Sequence, residues 1–252
     1  MTQDKSLLGF KDSFCFECHP GLDCFTSCCA DVTIFLTPFD VLRLTEHLEM
    51  DSSLFLATYT RALRGKSPVL PLVVLKMNED QEGKPCPLVT PQGCSVYPAR
   101  PWSCRMYPLD VVGRGQYRVM VEPDFCQGLK SKKSSRVMDY LTGQGVDESS
   151  VMDVLYQEIT NHPGLAELDV DNPRVARMIH LACYDLDRFQ DFVFESSFLE
   201  KFEVDQERLE AIKSDKVELL KFGFDWVKFG LFAEKTLSLK PGQKAQRGPG
   251  SG

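Results

Sequence analysis

The sequence predicts an α+β fold: a small cysteine-rich region of short hairpins and a helical pair, packed on a mainly α-helical C-terminal half. Three observations predict it. Nine of the ten cysteines lie between Cys15 and Cys126. The stretch from Val69 to Glu122 alternates β-branched apolar runs with glycine and proline turns, a strand-and-hairpin pattern. From about Ser134 onward, apolar residues recur at helical spacing in longer polar segments. The expected division is 1–130 for the cysteine region, 131–238 for the helical region and 239–252 for a disordered tail.

Each element has a local reason. Thr37-Pro38-Phe39-Asp40 reads as an N-cap, a proline at the first helical position and an acid three residues after the cap. Val41, Leu44 and Leu48 continue one apolar face. Asp51 is placed to cap a second helix carrying Leu54, Phe55, Thr58, Tyr59 and Leu63, with Gly65 as its end. Val69–Met77 reads as a strand. Leu88-Val89 and Ser95-Val96-Tyr97 flank Pro91-Gln92-Gly93 as a hairpin, and Leu109–Val112 and Gln116–Glu122 flank Gly113-Arg114-Gly115 as another. Helices are expected over 135–142, 148–161, 173–194, 196–203 and 205–233, the last with a break near Gly223. Asp171-Asn172-Pro173 marks one helix start. The Gly-, Pro- and Lys-rich tail from Lys240 has too little apolar content to order.

Composition narrows the function classes. Hydrophobic residues make up 43% of 252, enough to form a core, so the cysteines are not needed as staples for a chain too short to fold. The N-terminal residues lack the long apolar run of a signal peptide, and no stretch approaches the roughly 18 to 20 apolar residues of a membrane helix. A cytoplasmic protein with no membrane association is expected. Net charge is −7 and the pI is near 5.2, which argues against a general nucleic-acid binder. The short basic run Lys130, Lys132, Lys133 and Arg136 reads as a solvated linker, or alternatively as a docking patch for an acidic protein partner.

The cysteines form two groups: Cys15, Cys18, Cys24, Cys28 and Cys29, then Cys86, Cys94 and Cys104 with Cys126 trailing. Thiolates gathered this densely in a chain without an export signal point to metal rather than to disulfides. Cys15-x2-Cys18 is a two-ligand hook, strengthened by Cys24-x3-Cys28-Cys29 close behind. Adjacent side chains diverge along an extended chain, so Cys28 and Cys29 are not expected to serve one centre together. Cys86 and Cys94 span a hairpin that brings them together, and with Cys104 and Cys126 they make a possible second tetrahedral set. Nine candidates allow two four-ligand sites with one left over, or one site with spectators. Four thiolates suit zinc or an iron–sulfur cluster such as 4Fe-4S. The excess of cysteine over histidine favours iron–sulfur.

At this point the residues resemble a known family. Cys24-Phe-Thr-Ser-Cys28-Cys29, Ile34-Phe-Leu-Thr37-Pro-Phe-Asp40-Val-Leu-Arg43-Leu44, Cys86-Pro-Leu, Gly93-Cys94-Ser-Val-Tyr97-Pro-Ala-Arg100-Pro101-Trp-Ser-Cys104-Arg105-Met-Tyr-Pro108 and Cys126-Gln-Gly128 stand in the order of the YkgJ-type cysteine-cluster proteins. These carry the CxxCxxCC, zinc- or iron-chelating domain, and the resemblance covers roughly residues 12–130. It implies metal binding. A branch similar in its cysteine blocks, the flagellin lysine N-methylases, implies S-adenosylmethionine-dependent methyl transfer to protein lysine as the alternative, with no catalytic residue carried over. The chain departs from the compact family spacing through His19-Pro20-Gly21-Leu22-Asp23, an insert expected to move Cys15 or Cys18 out of the standard ligand set. His19 reads as a turn residue rather than a substitute ligand.

Other candidates are weighed beside these. Arg100 and Arg105 flank Cys104, where guanidinium groups would stabilise an anionic thiolate centre. The plainer reading is salt bridging to Asp110 or Asp124. Tyr97 and Tyr107 read as packing around the site. His180 and Cys183 share a helical face with Asp187, but a buried, inert cysteine explains the pair as well. His47 and His162 read as surface residues near helix ends.

Overall fold

The computed structural model describes residues 7–64, 70–169 and 172–242. Helix accounts for 48% and strand for 16% of the described residues, the strands lying in short sheets of two or three, so the fold is mixed α+β. Contacts gather into two compact units that interleave along the chain: Met1–Phe35 with Leu75–Ser150, and Leu36–Val74 with Val151–Gly252. The sequence boundary near residue 130 falls inside the first of these.

The first unit is built from short pieces. An antiparallel three-stranded sheet runs in the order Leu8–Gly9, Gln116–Val119, Leu109–Gly113. Its hairpin turns at Arg114-Gly115, where Gly115 holds φ +69°, a conformation open to glycine. Ser13–Cys15 pairs with Ser134–Arg136, and Val89–Thr90 pairs with Gly93–Cys94. The core of this unit is a modest cluster of Phe14, Met106, Leu109, Tyr117, Val137, Leu141 and Val146. The helices Trp102–Met106 and Val137–Gly143 supply three of its members. Burial alternates along Ser13–Cys15 as a strand requires: Phe14 points into the core and its neighbours point out.

The second unit is a helical packing. The helix Pro38–His47 starts as its sequence dictates: Asp40 N–H donates to the Thr37 hydroxyl at 3.2 Å and Thr37 N–H donates to the Asp40 carboxylate at 3.0 Å. Asp51 accepts from Leu54 N–H to start Ser52–Tyr59. That helix stops earlier than predicted. The Thr60 hydroxyl donates to the Leu56 carbonyl, and Thr60–Arg64 becomes a strand paired with Pro71–Leu75, so Leu63 is not helical. The proposed stop at Gly65 lies outside the described residues.

The predicted helix over 173–194 is two helices, Pro173–Cys183 and Leu186–Glu195, divided at Tyr184-Asp185. Asn172 caps the first, accepting from Arg174 N–H at 3.0 Å. Similarly, Phe198–Lys201 is followed by a strand, Phe202–Glu203, which pairs with Ser238–Leu239. The segment 205–233 divides at Asp215, whose carboxylate accepts from Val217 N–H at 2.7 Å and starts Lys216–Phe232. Gly223 does not break this helix. A Cβ there would lie 2.1 Å from the Ala182 carbonyl, so glycine serves a close helix–helix approach. Phe189, Phe192, Phe198, Phe222 and Trp226 stack and edge against one another with ring centroids 5.0–6.4 Å apart. The expected disorder beyond Gly242 concerns residues outside the described set. Among the described residues no helix is long and apolar enough to cross a membrane.

Candidate metal centre

All ten cysteines lie among the described residues, and none is in a disulfide. The nine candidate ligands all fall in the first unit, carried by turns and by short strands and helices. Cys28 and Cys29 sit in a single 3₁₀ turn, Ser27–Cys29. Cys86 is fixed by its backbone, its N–H donating to the Cys29 carbonyl at 2.7 Å. Cys94 ends the small hairpin and pairs in register with Val89. Cys104 lies in the helix Trp102–Met106, and its N–H donates to the Pro101 carbonyl at 2.9 Å. Cys126 is buried at the start of a 3₁₀ turn, Gln127–Lys130.

The thiols gather in two neighbourhoods. Cys28, Cys29, Cys86, Cys94 and Cys104 line a cavity of about 40 Å³ whose other walls are mostly apolar, including Ile34, Leu75 and Leu88. Backbone N–H groups of Leu88 and Val89 point at the Cys86 sulfur, and that of Val96 at the Cys94 sulfur. Burial raises both thiols above the ordinary range, and these bonds oppose that rise by favouring the thiolate. Elsewhere, Gln127 N–H donates to the Cys24 sulfur at 3.3 Å. The Tyr107 hydroxyl hydrogen-bonds the Cys126 sulfur, and burial together with that bond pushes the phenol well up. Cys18 is exposed as a residue, yet its thiol is sheltered enough that burial, ahead of Cys28, Cys126 and Cys24, raises it to about 11. Cys28 and Cys29 are hydrogen-bonded to each other, which lowers Cys28 and raises Cys29.

Cys15 stands apart. It is exposed at the end of its strand, on the face opposite Phe14, so the two-residue spacing to Cys18 does not aim both sulfurs inward. His19 is also exposed, and its Nδ1 accepts from Gly21 N–H at 3.1 Å, the turn role expected of it. The thiols are gathered without being closed onto a point: among the described residues no three Cys, His, Asp or Glu side chains stand at ligand-ready spacing. Physically, protonated thiols have no force drawing four sulfurs to one centre. That convergence comes with deprotonation and a cation. Sulfur-only donors, amide N–H groups aimed at sulfur and a largely apolar wall fit a thiolate-bound metal.

The arginines beside Cys104 are buried, and Asp110 and Asp124 pair with Arg118 and Lys130. Arg100 donates to the Tyr97 carbonyl at 2.6 Å and to Gln144, and its guanidinium lies 3.8 Å from the centre of the Tyr97 ring. Its charge favours the thiolate of Cys94. Arg105 donates to the carbonyls of Arg100, Gln144 and Pro98, tying together the loop that precedes Cys104. In the basic run, Lys133 pairs with Glu17 and Arg136 with Asp139, both solvated.

Outside the first unit, Cys183 is fully buried and burial pushes its thiol up, while burial holds His180 below its usual value. An apolar-packed thiol and a neutral imidazole make the inert reading the one that fits. His47 is exposed as expected, but His162 is half-buried and stacks on Phe232 at 3.7 Å.

Sequence reasoning missed two contacts, Tyr107 with Cys126 and Gln127 with Cys24. The glycine two residues after Cys126 was the available signal. A Cβ at Gly128 would lie 2.7 Å from the Glu17 carbonyl, so this turn packs its backbone directly on the strand end that leads to Cys18.

Comparison with curated proteins and with solved structures finds no match. Residues 17–127 match a family model, CxxCxxCC, described as "Putative zinc- or iron-chelating domain". The match covers every candidate cysteine except Cys15. Over residues 17–127, therefore, the chain is similar to the CxxCxxCC family.

Proposed function

We propose that this protein binds metal through its clustered cysteine thiolates, as an iron–sulfur cluster or zinc, in a structural or redox role. One observation carries the reading: thiols from two stretches of chain more than fifty residues apart gather in one compact unit, with backbone amides directed at sulfur. Bound there, either metal would neutralise thiolate charge and cross-link turns that have little regular structure of their own. The chain's part is to present sulfur and steady it. The amides of Leu88, Val89, Val96 and Gln127 and the Arg100 guanidinium all favour the anionic form, and the apolar wall limits water. The alternative, a metal-dependent protein-lysine N-methylase using S-adenosylmethionine, is favoured by no particular side chain, and we assign no catalytic residues.

Metal analysis of anaerobically purified protein tests the proposal. Brown protein with iron and acid-labile sulfide identifies the cluster, and colourless protein with stoichiometric zinc identifies zinc. Protein with neither, and with no uptake of Zn²⁺ or Fe²⁺ when reduced, contradicts the reading.

A further inference from the structure

We infer that the chain holds two separate four-thiol centres, and that the order of the cysteines in sequence misassigns their membership. One centre is Cys18, Cys24, Cys28 and Cys126. The other is Cys29, Cys86, Cys94 and Cys104. Cys15 belongs to neither. The inference rests on the proposed metal binding and specifies its architecture.

Backbone geometry carries the exchange of Cys126 and Cys29 between the sequence groups. Cys126 is drawn to the first group because its turn packs on the chain just before Cys18. Glu17 N–H donates to the Gly128 carbonyl at 3.1 Å, and Phe16 N–H to the Lys133 carbonyl at 3.1 Å. The residue after Cys126 donates its N–H to the Cys24 sulfur. Cys29 is drawn to the second group because Cys86 N–H bonds its carbonyl and because it lines the cavity with Cys86, Cys94 and Cys104. Cys28 lines that cavity as well, as the chain neighbour of Cys29. The turn leading into Cys28 closes on Cys24, whose carbonyl accepts from Ser27 N–H at 3.0 Å, and this ties Cys28 to the first centre as Cys86 ties Cys29 to the second. Adjacent residues of one 3₁₀ turn thus divide between the centres, which meet at the Cys28–Cys29 peptide.

The two centres differ in shelter. The second has apolar walls and two of its sulfurs held by backbone amides. The first includes exposed Cys18 on a loop with exposed neighbours, His19 and Pro20. Solvent access controls how readily a chelator reaches a metal, so the Cys18 centre releases its metal first.

The test uses the full-length wild-type chain, reduced and loaded with Co²⁺ alone as the probe. Stepwise chelation is followed by thiol alkylation and mass-spectrometric mapping. The expected result is two equivalents of Co²⁺, lost in two steps. Cys18, Cys24, Cys28 and Cys126 become reactive together first, then Cys29, Cys86, Cys94 and Cys104, with Cys15 reactive throughout. In variants that keep their far-ultraviolet circular dichroism, Cys94→Ser and Cys126→Ser each retain one equivalent, and Cys15→Ser retains two. A single equivalent whose loss exposes all eight thiols at once overturns the partition while leaving metal binding intact. So does a pair of steps that groups Cys126 with Cys86, Cys94 and Cys104. A chain that takes up no Co²⁺ overturns both the partition and the proposed function.

Discussion

The two compact units are stabilised in different ways. The second has a 17-residue helix, a ring of stacked aromatics and side chains such as Phe189 and Phe222 with no exposed surface. Removing such side chains from water contributes about 1.5–3 kcal/mol each. The first has strands of two to five residues, a core of seven buried residues and eight thiols collected in turns and short elements. Short hairpins are marginal on their own in water, and buried thiols raised by desolvation add little. The second unit stands on its apolar core. The first has only its small apolar cluster and, on the proposal above, depends on the metal its thiols hold.

The comparison breaks most visibly if metal does not matter to the first unit. Structural metal in small thiolate sites contributes on the order of 10 kcal/mol of apparent binding energy that is also folding energy. Stripping with a strong chelator under reducing conditions should therefore abolish the hydrogen-exchange protection of amides such as Leu88, Val89 and Val96. The amides of Pro173–Cys183 and Lys216–Phe232 should stay protected. Equal loss in both regions would dissolve the distinction.

The next largest effect is expected in the other direction. Phe222→Ala removes a fully buried ring and should cost about 3–5 kcal/mol in denaturant unfolding. Metal content per folded chain should be unchanged. A parallel fall in bound metal would mean that the units are not separable in this way.

Smaller changes sharpen the helical side. Asp51→Ala should cost about 1 kcal/mol, because Leu54 N–H loses its acceptor. Lys216→Met removes the 2.6 Å partner of Asp187, which also accepts from Ser52 N–H at 2.7 Å. Burial alone would raise the Asp187 carboxyl, but these partners bring it below its usual value of 3.8. Its contribution is thus full above that value and fades as pH falls through the lower folded value. The stability difference between wild type and Lys216→Met should be up to about 1 kcal/mol at neutral pH and shrink in acid. A difference that grew in acid would reverse the assigned sign.

How much was legible in the sequence follows the same division. Local signals were read correctly where the determinant is local: the Thr37–Asp40 box, the Asp51 and Asn172 caps and the turn at Gly115 all act within a few residues. Gly223 was misread as a break because glycine's local meaning is weakness in a helix. Its actual role depends on Ala182, forty-one residues away in sequence, and the break falls instead at the capping Asp215. Leu63 was assigned to a helix because its spacing fits one, while pairing with Pro71–Leu75 made the segment a strand. At the site, the spacing of the cysteines revealed the chemistry but not the geometry. Cys15-x2-Cys18 has the spacing of a hook, yet strand alternation turns Cys15 outward. The approach of the Cys126 turn to Glu17 is a long-range backbone contact that no spacing encodes.

X-ray absorption at the metal edge of the purified, reduced, full-length protein tests the central claim most directly. The account predicts a first shell of sulfur alone, four per metal, at about 2.3 Å for zinc or cobalt. A first shell dominated by nitrogen or oxygen, or no bound metal after reconstitution, would contradict it.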